Sequence, residues 1–154
     1  MLINLDFNTS MWLIYALGAA VMWGLTYVIN EQLFKKMNVI SSLSITLLIS
    51  AAVMVFGAYV GGFLKRDMIT ISHSPKLQAL MIASIVIFIL AEILINFSIA
   101  DKNATLASLI EISYPIFVAL FSYIIYRKGQ MDTGTIIGGI LVFAGVGMIY
   151  YFNK

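Results

Sequence analysis

"NATLASLIEISYPIFVALFSYIIYRK", residues 103–128, decides the fold of this chain. Residues 104–126 are apolar over a length that can cross a bilayer, because roughly 20 apolar residues span about 30 Å of hydrocarbon. The segment nevertheless holds an acid, Glu111, and a helix breaker, Pro115, one helical turn apart. Each residue is unfavourable when it faces lipid. The stretch therefore predicts a membrane-spanning helix with a polar site that is enclosed by a protein bundle.

The composition of the whole chain supports a membrane protein. The 154 residues are 62% hydrophobic and 10% charged, whereas about a quarter of a soluble domain is charged. The chain has no cysteine and a single histidine, His73, so it offers no disulfide, no metal site and no nucleophile with a base. The net charge of +2 is thinly spread and predicts no nucleic-acid binding. We expect no enzymatic activity and no cofactor.

Charged residues divide the chain into apolar runs. The runs predict five transmembrane helices over residues 11–30, 39–64, 77–100, 104–126 and 133–152. The loops between them are short, so neighbouring helices should be antiparallel. Residues 1–154 are therefore expected to form one all-α domain, a bundle of five transmembrane helices.

The fourth predicted helix carries one polar stripe. Ser108, Glu111 and Pro115 recur at steps of three or four residues, which places them on one helix face. Proline has no N–H group, so Pro115 cannot donate to the carbonyl four residues back, which belongs to Glu111 itself. A titratable carboxyl and an unpaired carbonyl in one turn predict a single polar site, with a helix break at Pro115.

Other spans supply candidate partners for this site. Glu92 and Asn96 lie one turn apart on the third helix, and Trp23, Tyr27 and Asn30 form a stripe on the first. An acid inside a span faces a cavity or a partner and by default indicates function. Glu111 is the first candidate for binding a proton or solute, and Glu92 is the second. The alternative is that both acids only hydrogen-bond across helices and hold the bundle together.

The charges in the loops do not favour one orientation of the chain in the membrane. Five basic residues fall on the side of the N-terminus: Lys65, Arg66, Lys76, Arg127 and Lys128. Four fall on the other side: Lys35, Lys36, Lys102 and Lys154. Because the cytoplasmic side normally carries the excess, this balance favours insertion in both directions and head-to-tail pairing, although a partner protein could instead set one orientation. Three small residues on the last helix are candidates for dimer packing or for packing within one chain: Gly134, Gly138 and Gly145.

Two stretches resemble a known family. "AAVMWGLTYVINEQLF", residues 19–34, and "ATLASLIEISYPIFVALFSYIIYRKGQMDTGTIIGGILVFAGVGMIYYF", residues 104–152, look like the two ends of an EamA-type unit of the drug/metabolite transporter superfamily. The Trp23-Gly24 pair and Pro115 stand where this family tends to place such residues. The resemblance implies a half-unit that pairs into a ten-helix dimer. The last helices are also similar to those of small multidrug resistance proteins, whose first helix carries a binding glutamate about where Trp23 stands here.

Together these features predict a subunit of a secondary-active transporter. It would move a small metabolite or an amphipathic or cationic solute by alternating access, coupled to protons, as a homodimer or with a related subunit. A lipid-carrier flippase subunit and a non-transporting membrane scaffold are the alternatives. The absence of an organelle-targeting signal makes a prokaryotic cytoplasmic membrane the expected location.

Overall fold

The computed structural model describes residues 11–127 and 133–152, apart from the side chains of residues 126 and 135. The described residues form helices and short turns, without a strand. The helices are α1 (Met11–Phe34), α2 (Val39–Val60), α3 (Phe63–Ser72), α4 (Pro75–Asp101), α5 (Ala104–Glu111), α6 (Tyr114–Tyr126) and α7 (Thr133–Phe152).

Four segments of the described chain are long and apolar enough to cross a membrane. They are Met11–Phe34, Val39–Val60, Pro75–Asp101 and Ala104–Ile125, the last of which contains α5 and most of α6. Ile136–Phe152, within α7, is a shorter apolar helix. The chain is thus an all-helical, multi-pass integral membrane protein. That α7 is a fifth span, and that two copies pair, remain predictions.

The second helix ends earlier than the sequence predicted. The expected span was 39–64, but α2 ends at Val60 because Gly62 turns the chain with a φ of 72°. Residues 63–72, which were mostly assigned to a loop, form α3. Leu64, Met68 and Ile71 recur at i, i+4 and i+7, so this short helix has an apolar side in spite of its charges.

Replacing Gly62 by alanine should destabilise the protein. An L residue in the left-handed region costs about 1–2 kcal/mol, and the free energy of unfolding should fall by that amount. Gly57→Ala is the matched control, since an added Cβ there would meet nothing within 4 Å and the residue lies inside α2. Detergent-titration unfolding in mixed micelles measures both variants. Equal stabilities for the two would contradict the left-handed turn.

The fourth predicted span is interrupted between α5 and α6. Helix α5 ends at Glu111 and α6 begins at Tyr114, so the interruption lies just before Pro115. The amide of Ile112 still bonds the carbonyl of Ser108 at 3.0 Å, and that of Ser113 bonds the carbonyl of Ile110 at 3.2 Å. The helix is interrupted where Pro115 has no N–H for the Glu111 carbonyl.

The buried residues of the described chain lie at one end of the bundle. We call this the tight end: it comprises residues 27–43 and 96–107, where α1 and α4 end and α2 and α5 begin. Its buried residues are Tyr27, Val39, Ser42, Leu43, Asn96, Ile99, Ala104 and Ala107. The turns there are short, and Asn38 and Asn103 cap α2 and α5 by accepting bonds from Ile40 and Leu106. The candidate site begins at this end and continues toward the middle of the bundle, where Glu92 and Glu111 lie.

Candidate functional site

Glu111 is hydrogen-bonded within the bundle. The Tyr27 hydroxyl donates to its Oε2 at 2.7 Å and joins α1 to the last residue of α5. Tyr27 lies seven residues before the end of α1, and Glu111 lies seven residues after the start of α5. At 1.5 Å per residue, both are roughly 10 Å inside the tight end. The acid is therefore half-buried among helices, well inside the spanning part of the chain.

An aromatic wall adjoins this carboxyl. The ring of Trp23, one turn before Tyr27, packs against the Tyr27 ring with a centroid distance of 5.8 Å and an interplanar angle of 52°. Tyr27 is 8% exposed, whereas Trp23 is 47% exposed. Trp23 thus extends the apolar surface from the buried phenol toward the outside of the chain.

A second group of polar side chains links α1 to α4. The Asn30 amide donates to Oδ1 of Asn96 at 2.9 Å. The Asn96 amide donates in turn to the backbone carbonyl of Glu92 at 2.9 Å and to its Oε2 at 3.2 Å. Asn96 is only 1% exposed, so both ends of its amide are satisfied inside the protein. The sequence-predicted residues Asn30, Asn96 and Glu92 therefore form one chain of hydrogen bonds.

Glu31 is a polar residue of this region that the sequence analysis did not propose. Its Oε2 accepts a hydrogen bond of 2.8 Å from the backbone N–H of Ala104, the first residue of α5, and its Oε1 lies 3.8 Å from Nζ of Lys35. A carboxylate is favoured there because a helix N-terminus has unpaired N–H groups and a positive dipole end. Glu31 thus fastens α1 to α5 at the tight end.

The other predicted site residues have different surroundings. The Ser108 hydroxyl donates to the carbonyl of Thr105 at 3.0 Å, so it is satisfied by its own helix. Pro115 lies on the wall of an apolar groove of about 430 Å³ between α7 and the start of α6 with the turn that precedes it. The groove residues are Ile112, Pro115, Ile116, Ile136, Gly138, Gly139, Ile140, Val142 and Phe143.

The predicted packing glycines of α7 leave open space within one chain. A Cβ at Gly138 or Gly145 would meet nothing within 4 Å, and Gly134 is exposed. Gly139, which the sequence analysis passed over, is closer to a neighbour, because its Cβ would lie 3.3 Å from Cγ1 of Ile116. Dimer packing by Gly134, Gly138 and Gly145 stays a prediction.

The chemistry of the site is that of carboxyl groups held by neutral donors. A phenol holds Glu111 and an amide holds Glu92. A carboxyl with such partners can gain or lose a proton without breaking an ion pair, and in a low dielectric it attracts a cation strongly when ionised. Within the described ranges, no group of three or more acidic or histidine side chains could hold a metal ion.

The comparison with protein families agrees with the resemblance noted above. Residues 10–151, nearly the whole chain, match the EamA-like transporter family. No curated protein and no solved structure gives a significant match to this chain. The resemblance carried by Trp23-Gly24, Pro115 and the last helix is thereby confirmed. The chain belongs to the EamA-like transporter family, whose members are membrane transporters rather than enzymes.

Proposed function

We propose that this chain is a subunit of a secondary-active transporter in which Glu111 binds the coupling proton and the solute in turn. The observation that carries the proposal is the 2.7 Å bond from the Tyr27 hydroxyl to a carboxyl inside the spanning region. An ionisable group at this depth is costly, and a purely structural contact could be made by an uncharged residue. Family membership supports transport as the general activity.

The proposed cycle exchanges a proton for a solute at one carboxyl. With Glu111 protonated, the site is neutral and stable in a low dielectric. An amine or another cationic solute that enters displaces the proton to water and pairs with the carboxylate, while the Tyr27 hydroxyl continues to donate to Oε2. Trp23 and Tyr27 supply a flat apolar surface, which suits an amphipathic cation. Asn30, Asn96 and Glu92 would line the path beside it.

The interruption between α5 and α6 supports alternating access. Glu31 and Asn96 tie α1 to α5 and α4 at the tight end, whereas α6 lies beyond residues 112–113. A helix break of this kind lets one half of a span move while the other half stays packed. We expect α6 to swing relative to α5 and so open Glu111 to the side opposite the tight end.

Pairing of two inverted copies would complete the transporter. Transporter folds commonly place their site between two oppositely oriented repeats. The near-equal loop charges, five against four, permit both orientations. The open space at Gly138 and Gly145 on α7 could admit a neighbouring helix. We place the pair in a prokaryotic cytoplasmic membrane. A reporter fused at Lys154 that faced only one side in every molecule would exclude dual insertion.

One observation favours a second candidate, a lipid-carrier flippase subunit. The apolar groove of about 430 Å³ beside Pro115 could hold a lipid chain. Transport of a lipid-linked sugar, in place of a soluble solute, would support this candidate. A non-transporting scaffold would instead use Glu92 and Glu111 only to hold helices together, and no ligand would release protons.

Proton release from purified protein tests the proposal. A panel of amines, amino acids and sugars is added to the protein. We expect the protein to release protons when at least one of these classes binds, most readily the amines. Tyr27→Phe should weaken solute binding by roughly fivefold to tenfold, since a hydrogen bond to a charged group contributes about 1.5–3 kcal/mol and part of this loss can be relieved by water. Tyr15→Phe, on the same helix and 68% exposed, is the matched control and should bind normally. Equal affinities of both variants would remove Tyr27 from the site.

A further inference from the structure

Helix α3 connects two membrane-spanning helices, α2 and α4. It follows α2 after the turn at Gly61 and Gly62, and α4 begins two residues after its C-cap His73. Both spans therefore meet α3 at the end of the bundle opposite the tight end. Because α2 and α4 cross the membrane, this covalent connection places α3 near a bilayer surface. We infer that α3 lies in the membrane–water interface and binds the headgroups of anionic phospholipids.

The apolar residues of α3 suit this position. Leu64, Met68 and Ile71 form its apolar side: Leu64 and Ile71 are partly buried against the bundle, and Met68 is 61% exposed. Phe63 and Ile69 lie outside this side and are 53% and 50% exposed. A ten-residue helix cannot span a bilayer, and its charges exclude it from the hydrocarbon. A helix with one apolar side and a basic polar side characteristically lies in the plane of the interface.

The charges of α3 favour an anionic surface. Lys65 and Arg66 outnumber Asp67, and Lys76 in the first turn of α4 adds a further positive charge at the same end. Arg66 already has two contacts: its Nε lies 3.0 Å from Oδ1 of Asp67, and its guanidinium carbon lies 5.7 Å from the centroid of the Phe63 ring. Lys65 is exposed. Basic residues beside a spanning helix attract anionic lipids, and each adds a comparable amount to the binding free energy.

Hydrogen bonds connect the end of α3 to the first turn of α4. The side-chain amide of Gln78 donates to the carbonyl of Ile71 at 3.2 Å and to that of Ser72 at 3.1 Å. These carbonyls belong to the last turn of α3, where the helix supplies no N–H four residues on, and the Ile71 carbonyl also accepts from the backbone N–H of Ser74 at 3.1 Å. The Ser74 hydroxyl accepts from the N–H of Leu77 and caps α4. The turn between α3 and α4 is thus held by the Gln78 bonds to the end of α3 and by the Ser74 cap at the start of α4.

Selective quenching by brominated lipids tests the inference. Full-length protein with Trp12→Phe, Trp23→Phe and Phe63→Trp carries a single tryptophan, at position 63, whose fluorescence is the reporter. We reconstitute it in phosphatidylcholine bilayers that contain an equal fraction of either brominated phosphatidylglycerol or brominated phosphatidylcholine. The ratio of the two quenching constants gives the lipid preference. For the net single positive charge of α3 we expect about a fivefold preference for phosphatidylglycerol, reduced in 1 M salt.

Matched charge variants decide the source of this preference. Lys65→Gln with Arg66→Gln should lower the ratio to one or below. Lys35→Gln with Lys36→Gln removes the same charge at the tight end and should leave the ratio unchanged. Soluble glycerol phosphate at millimolar concentration should not compete, because the proposed partner is the lipid surface. A ratio of one in the parent, an unchanged ratio in the α3 variant, or no quenching by either lipid would each overturn the inference.

Discussion

Replacing Glu111 by glutamine should abolish solute-dependent proton release and coupled transport. Glutamine has nearly the shape of glutamate and still offers an oxygen to the Tyr27 hydroxyl, so the 2.7 Å contact can be retained. It cannot, however, gain or lose a proton, and it has no charge to pair with a cation. Proton release should therefore fall to the background level, while membrane insertion and yield stay close to those of the parent protein.

Asp101→Asn is the control for this prediction. It makes the same change from carboxyl to amide at the last residue of α4, where the side chain is exposed. Proton release by this variant should equal that of the parent. If Glu111→Gln transports as well as the parent, Glu111 has no part in coupling. If Glu111→Gln and Glu92→Gln both lose stability, and no ligand releases protons even from the parent, the acids serve a scaffold.

Ile99→Ala should lower the free energy of unfolding more than the same kind of truncation at an exposed position. Ile99 is 1% exposed and packs in the cluster that contains Tyr27, Ala104 and Ala107. Truncation leaves a cavity in the best-packed part of the chain, and an Ile→Ala change at such a site costs about 2–5 kcal/mol. Detergent-titration unfolding should show a decrease of this size.

Leu90→Ala provides the comparison within the same helix. Leu90 is 54% exposed, and its side chain faces outward from a single chain. Its truncation should cost well under about 1 kcal/mol, since little packed surface is lost. Similar losses for Ile99→Ala and Leu90→Ala would contradict a core that is confined to the tight end, or would place a second subunit against Leu90.

The sequence predicted the polar residues of the candidate site but not how they pair. Glu111, Glu92 and Asn96 could be proposed because polar residues are expensive inside apolar runs. Tyr27 and Glu111 are 84 residues apart, and Asn30 and Asn96 are 66 apart. Helical periodicity acts over a few turns, so it cannot show which residue meets which across the bundle.

Glu31 and helix α3 were not predicted from the sequence, for separate physical reasons. Glu31 lies near the end of its span, where a charge is cheap, and its role depends on which helix N-terminus lies next to it. Helix α3 was read as a loop because Lys65, Arg66 and Asp67 are consecutive charges. The spacing of Leu64, Met68 and Ile71 was the available signal, and a search for short amphipathic helices would have found it.

The confinement of well-packed residues to the tight end bears on how a pair could move. Two copies inserted in opposite directions would each place their tight end beside the less buried end of the other. Each membrane face would then have the tight end of one copy and the less buried end of the other. A passage could open toward either face by movement of the less buried end at that face. The tight end of neither copy would have to unfold.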